Sequence, residues 1–497
     1  MMRHDLLEEP LLTWRESAGH RARATLPGAL ARVSSGELAD FPRLRPHQLH
    51  PWMMFLTQLA AIALHRGGVT DPPCEETPWR RALLDLTMGS TEPWALVVDD
   101  LSKPAFFQPP IPEGDNEGWS TCEFPDDLDI LVTAKAHDVK TSMIPCDDIE
   151  AWVYAVVTLQ TTQGYPGRGY NGIARMNGGY GSRPRVGLSP DQTLSSRFRR
   201  DVAVLLSSWP DLLRRGYRDE GVSLVWAEPW DGSTSLPMDG LAPHFIEICW
   251  RIRCEDESGV TARYTTTRVR RCLPEVDNGD TGDPWAPVER DKGVLSVSGR
   301  GFHYVLLSRL LFGSDFEEAA AQILREGDPA PVLFLASALA RGQGKTDGLH
   351  ERSLLLGGRA CWHLGRPDTR AAAGRRAAAR VISAQTMRSK VLYPALKQLF
   401  PESEVKDEFE ARVDDDFFDH LFATLDDDDD QARLAWERRL IDLGRAELDR
   451  GLRRFSVPTA QSWRAISAAE SIFSSCVAKN FPDSSQDRSF PKEGPFR

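Results

Sequence analysis

Apolar and polar positions alternate differently along the 497 residues, and the differences predict separate elements. Trp52–Leu64 is the longest apolar run, broken by Thr57 and Gln58. It predicts a buried helix over 52–65, too short for the roughly 20 apolar residues of a membrane span. Residues 98–130 carry Pro104, Pro109, Pro110, Pro112 and Pro125, which predicts an ordered but irregular stretch. The segment 151–162 (AWVYAVVTLQTT) is apolar throughout and fits helix or strand by pattern alone. Ile246, Ile248, Trp250 and Ile252 alternate with Glu247, Cys249, Arg251 and Arg253, a strand period. The turn EDESG then leads into GVTARYTTTRVRR, so the two runs predict a hairpin with Arg268 and Arg270 on one face and Arg271 on the other. Val294–Leu306 reads as strand-like or mixed.

After Asp368 the pattern becomes helical. The segment 369–397 is Ala-rich, with seven basic residues and no acidic one, too many cations for a purely internal face. Helices follow near 431–454, behind the acidic run at 426–430, and from Pro458 to Phe481. The expected fold is α+β: a large mixed N-terminal domain over 1–365, a C-terminal four-helix bundle over 370–481 and a polar tail over 482–497.

The composition is that of a globular protein, 41% hydrophobic and 27% charged. A formal net charge of −12 excludes a uniformly basic nucleic-acid-coating protein and leaves local basic surfaces open. The eight cysteines form no C-x-x-C pair, and with no apparent signal peptide the expected location is the cytoplasm. Cys249, Cys254 and Cys272 with His244 lack the tight spacing of a structural zinc site, so no metal and no cofactor are expected.

Between Ala151 and Pro190 there is no acidic residue, while Arg168, Arg175, Arg183 and Arg185 lie among eight glycines. Glycine lets backbone approach another surface closely, and arginines there suit a phosphate backbone or a minor groove. An irregular core loop with surface arginines is the plainer alternative. GQGKT at 342–346 is not a phosphate loop, because the required upstream glycine is Leu339. His137-Asp138, within AKAHDVK, has no nucleophile motif beside it. A nuclease or nucleotide-dependent enzyme built on the His137-Asp138 or Gly342–Thr346 loops is the rival function.

LLEEPLLTW with LPGAL near the N-terminus, PAFFQPP at 104–110, LVTAKAHDVK, the glycine-rich stretch and the helical end together resemble the CasA family, the large subunit of the type I-E CRISPR surveillance complex, Cascade. The resemblance spans most of the chain and is strongest over 104–190. It implies a non-catalytic subunit that checks double-stranded DNA for a protospacer-adjacent motif through the minor groove, starts duplex opening for the R-loop and recruits a helicase–nuclease in antiviral defence. The implied partners are the guide-RNA-containing Cascade subunits, target DNA and that helicase–nuclease, with no membrane. It also implies three DNA-reading elements. A glycine loop would be Asn177, Gly178, Gly179, Tyr180 and Gly181 with Arg183. A basic finger would lie among Arg268, Arg270 and Arg271, and a wedge at Arg341, Gly342, Gln343, Gly344 and Lys345. A loop near the guide end would carry Lys135, His137, Asp138 and Lys140, where some relatives have an aromatic and an asparagine that this chain lacks.

Overall fold

The computed structural model describes residues 1–129, 148–162, 183–272, 276, 279–342, 345–400, 408–455 and 460–485, with backbone alone for 341–342, 345–347 and 460–462. It divides into two compact units, 1–302 with 315–355 and 303–314 with 356–497. No helix among the described residues is long and apolar enough to cross a membrane.

The first unit is built around the helix Pro46–Arg66, whose residues 47–64 are buried apart from the half-buried Leu49. A helix apolar all round must sit at the centre of a core. It packs against the helices Ile149–Thr162 and Leu194–Arg214 and the strand Leu241–Ile246. Aromatic rings fill the joints. Trp52 meets Tyr154 edge-on at 4.9 Å, and Phe55 meets Phe107 at 5.2 Å. Phe107 in turn stacks on Trp226 at 4.5 Å. The PAFFQPP segment is thus core material: Phe106, Phe107 and Gln108 are all fully buried.

The apolar segment that fitted either period is a helix, Ile149–Thr162, because it lies in the groove of the central helix rather than in a sheet. Small sheets surround this core. In one, the strand Val332–Gly342 lies between Lys345–Leu356 and Arg185–Ser189. Gly187 sits where Ala321 packs closest: a Cβ there would meet that of Ala321 at 2.8 Å, so a larger residue would part the contact.

Val294–Leu306, expected to be strand-like or mixed, is mixed: the chain forms a two-residue strand at Gly293–Val294 and a helix at Tyr304–Phe312. That helix belongs to the second unit, where Phe312 lies against Gly374 and the Leu311 carbonyl accepts from Arg370 Nε at 3.0 Å. Among the described residues, the second unit otherwise holds four long helical stretches. The first runs Pro367–Thr386, passes through a π-turn at Met387–Leu392, and continues as Tyr393–Leu399. Pro394 has no N–H for the Lys390 carbonyl, a cause of such widening. Glu408–Ala423, Asp429–Arg454 and Ala460–Asn480 follow. Asp428 caps the third by accepting from Asp430 N at 3.0 Å and Gln431 N at 3.2 Å.

The basic first helix of the bundle divides its charge between the interior and the surface. Arg376 donates to the carbonyls of Thr424 (2.7 Å), Leu425 (2.6 Å) and Asp427 (2.6 Å), closing the end of a neighbouring helix. Arg380 is buried and bonds the Thr424 hydroxyl at 2.5 Å. Arg375, Lys390 and Lys397 stay exposed.

Candidate nucleic-acid interface

Of the residues assigned to DNA or guide contact, Asn177, Gly178, Gly179, Tyr180, Gly181, Lys135, His137, Asp138, Lys140, Gln343 and Gly344 lie outside the described residues. The structure does describe where the chain enters and leaves each of these segments.

The glycine segment is entered at Thr162, the last residue of its helix, and left at Arg183. These two are joined directly, Arg183 N donating to the Thr162 carbonyl at 3.3 Å. The Arg183 side chain, expected among the DNA contacts, is fully buried. Its Nε donates to Asp283 at 2.6 Å, and one terminal nitrogen donates to Gln58 and Glu247, each at 3.2 Å. Its guanidinium lies over the Trp285 ring at 5.5 Å. Arg183 is therefore a foundation of the loop and is not open to a phosphate. A buried cation survives only with matched acids, and two carboxylates with a buried amide provide them. Arg185, two residues on, is likewise buried and donates to Asp201 at 2.9 Å, which also accepts from Trp285 Nε1 at 2.9 Å. Burial lowers the Arg185 pKa against the opposing pull of Asp201.

The strand Arg185–Ser189 that follows is antiparallel to Val332–Gly342, with Arg185 opposite Ser337 and Ser189 opposite Leu333. Its start, nearest the glycine segment, therefore points to the Gly342 end of the partner. The hairpin of Val332–Gly342 and Lys345–Leu356 runs five residues past that last pair, about 17 Å at ~3.4 Å per residue. The foot of the glycine segment thus lies toward the end of the sheet where Val332–Gly342 stops and Lys345–Leu356 starts. Sequence reading placed a flexible loop at 342–346; that Gly342 ends one long strand and Lys345 begins another was not legible there.

The 130–147 segment has rooted ends as well. Before it, Asp129 accepts from Arg45 at 2.9 Å, His47 at 2.8 Å and Gln48 at 3.2 Å. After it, Asp148 pairs with Arg43. One short stretch, 43–48, therefore grips both ends. The helix Ile149–Thr162 separates this segment from the glycine segment by 14 residues, about 20 Å at ~1.5 Å per residue.

The expected hairpin exists, but with other limits. Its strands are Arg251–Asp256 and Val260–Thr265, with Arg253 opposite Arg263. The segment 247–250 does not continue the first strand, because the Gln160 side-chain oxygen accepts from Cys249 N and Trp250 N, each at 2.8 Å. The second strand stops at Thr265, so Arg268, Arg270 and Arg271 do not alternate across a sheet. After it the backbone turns to Gly232, whose carbonyl accepts from Arg268 N at 2.8 Å. Arg268 is exposed. Arg270 is half-buried, and burial lowers its pKa. Arg271 is buried, donates to the Pro229 carbonyl at 3.1 Å and lies over Trp230 at 5.8 Å. Burial lowers its pKa too. Arg271 is a structural residue, and Arg268 is the member of the three presented to solvent.

Sequence reasoning missed the buried amides. Gln160 also donates to the Phe107 carbonyl at 2.9 Å and the Trp250 carbonyl at 3.0 Å. Gln108 donates to the Leu96 carbonyl at 2.8 Å and accepts from Cys254 N at 2.6 Å. Gln58 donates to the Phe245 carbonyl at 2.9 Å while accepting from Arg183. The available signal was a glutamine inside an apolar run, as at Gln58 within 52–64. Cys254 is a buried thiol whose pKa burial pushes up to about 12, which disfavours the metal-binding thiolate. Among the described residues, no group of three His, Cys, Asp or Glu side chains could hold a metal ion.

No family model and no curated protein sequence matches the chain. Solved structures do. The CRISPR-associated protein Cse1 of Acidimicrobium ferrooxidans superposes with a TM-score of 0.65 at 17% identity, over 97% of this chain and 98% of that one. CasA (Cse1) of Thermus thermophilus gives 0.65 at 15% identity, over 95% of this chain and 100% of that one. A chain of a CRISPR RNA-guided surveillance complex gives 0.62 at 13% identity, over 94% and 99%. Across nearly its whole length, the chain has the fold of the Cse1/CasA proteins.

Proposed function

We propose that this chain is the non-catalytic large subunit of a type I-E CRISPR RNA-guided surveillance complex, reading a short motif in double-stranded DNA and starting its opening. One observation carries the reading: the foot of the glycine segment lies toward the Gly342 end of the long strand Val332–Gly342, which runs about 17 Å past it at ~3.4 Å per residue. A glycine-rich segment and the Gln343-Gly344 connection, rooted toward one end of one sheet, suit two tasks. The first can lie against the minor groove, where the code mainly separates A·T from G·C and several motifs are tolerated. The second can enter the stack, where unstacking costs a few kcal/mol per step. Gln343 would be the inserted amide, with Arg341, Gly342, Gly344 and Lys345 around it and Asn177–Gly181 on the groove. Arg268 is the basic-finger residue, since Arg271 is buried and Arg270 half-buried. The full overlap with Cse1/CasA structures supports the same assignment, with guide-RNA subunits and a helicase–nuclease as partners in the cytoplasm.

The test is assembly followed by opening. The full chain, co-expressed with the guide-RNA subunits of a neighbouring operon, should co-purify with them and bind duplex carrying the motif. Gly179→Asp should abolish that binding. Gln343→Ala should weaken binding to a fully paired target and spare one already mismatched beside the motif. Equal loss on both targets, or none on either, removes the wedge role.

A further inference from the structure

At the other end of the same sheet, away from Gly342, a cleft of about 570 Å3 lies between the helix Leu194–Arg214 and the turn 325–329. Pro190 closes it, directly after Ser189, which pairs with Leu333. The cleft is built on a buried arginine. Arg200 holds both oxygens of Asp328, each at 2.8 Å, and donates to the carbonyls of Ala321 and Ile323 at 2.9 Å. Asp328 also accepts from Arg325 N at 2.9 Å, so the turn carrying Arg325 is clamped to the helix carrying Arg199. The Asp328 charge is consumed in this clamp.

Two further guanidiniums line the cleft, Arg199 and Arg325, and neither has an ion pair within 4 Å among the described residues. Arg199 is exposed and Arg325 half-buried, so both keep access to solvent. Gly327, at φ +96°, leaves the mouth open: a Cβ there would meet nothing within 4 Å. Besides Asp328, which also feels the charge of Arg325, two acids lie near among the described residues, and Asp191 feels the charge of Arg199. Asp191 is engaged by Thr193 and Ser196, whose hydroxyls donate to it at 2.6 and 2.7 Å. Glu326 is exposed on the lining.

Guanidinium groups grip phosphate oxygens through paired N–H donors, and a clamped frame holds them ready at little ordering cost. We propose that this cleft binds a backbone phosphate of the duplex flanking the opening site. The assignment rests on the DNA-reading function proposed above. Leu333 and Gly342 are nine residues apart on one strand, about 31 Å, which matches roughly nine base pairs at ~3.4 Å each. Such a contact positions the duplex and carries no sequence information.

The experiment measures duplex binding by the full chain assembled with its guide-RNA subunits, between 50 and 200 mM salt. Arg199→Ala with Arg325→Ala should make the log–log salt slope shallower by ~0.9, the share of the one phosphate the cleft neutralises. The loss should be equal for every motif sequence. Glu326→Gln should tighten binding at low salt. An unchanged melting temperature shows that the variants fold. If wild type binds duplex and the double variant keeps its slope, the cleft proposal is overturned while the DNA-reading function stands. If wild type binds no duplex, that function itself fails. A separate arm uses inorganic phosphate alone. If it raises the melting temperature of wild type but not of the double variant, and the duplex slope is the same in both, the cleft takes a free anion and the duplex assignment is overturned.

Discussion

Arg183 and Arg268 stand in similar surroundings in the sequence, each beside further arginines with no acid adjacent, yet the fold treats them oppositely. Arg183 is fully buried on Asp283, Glu247, Gln58 and Trp285. Arg268 is exposed, with its backbone tied to Gly232. The difference lies in partners far along the chain: Glu247 is 64 residues from Arg183 and Asp283 is 100. A stretch without acids is therefore no measure of free charge. The same holds at Arg376 in the bundle, whose acceptors are the carbonyls of 424, 425 and 427. In the first unit, buried cations hold the feet of the segments proposed to read DNA, and exposed ones are left to meet phosphate.

The comparison breaks most sharply at Arg183. Arg183→Met leaves Asp283 and Glu247 buried without their cation, which should cost about 3–5 kcal/mol of stability. Urea unfolding of the full chain reads this, and a loss below about 1 kcal/mol would mean that Arg183 is not a foundation. Gln160→Leu should cost roughly 3 kcal/mol by orphaning Cys249 N and Trp250 N, with a lower unfolding midpoint as the readout.

His50 sharpens the picture of the buried side. Burial, and after it the positive charges of Arg185 and Arg197, lower its pKa to about 3. An unfolded histidine titrates near 6.5, so below that pH the unfolded chain binds the extra proton. The stability from neutral His50 is whole above about pH 6.5 and is lost as pH falls toward 3, at up to ~1.4 kcal/mol per pH unit. His50→Phe should flatten the unfolding free energy over that window, and an equally steep profile would clear His50 of the effect. The smallest change in stability belongs to Arg268. Arg268→Ala should leave stability within about 0.5 kcal/mol while making the salt slope of duplex binding shallower by ~0.9. Arg271→Ala should do the reverse, lowering the melting temperature and leaving the slope alone.

Much of the helical framework was legible. The central helix, expected over 52–65, spans Pro46–Arg66, and the bundle helices expected at 431–454 and 458–481 are Asp429–Arg454 and Ala460–Asn480. Their long apolar or amphipathic patterns are local signals. Where pattern and neighbours disagree, pattern alone misleads. The alternation at 246–252 is that of a strand, yet the Gln160 amide takes the N–H groups of 249 and 250 away from any ladder. Of the candidate site, the glycine-rich stretch and the slender turn stood out by composition, because glycine and charge can be read residue by residue.

By itself, then, the sequence determined which segments are apolar enough to be buried, which are helical by period, and where glycine and basic residues collect. Those depend on the residue and its close neighbours. Tertiary structure alone decided that Arg183 and Arg271 face inward and Arg268 outward, that 149–162 is a helix, and that Arg185 lies opposite Ser337 so that the foot of the glycine segment lies toward the Gly342 end of the sheet. The physical reason is pairing. A buried charge or amide is stable only where a partner meets it, and for Arg271, Arg183 and Gln160 those partners arrive from 42 to 125 residues away.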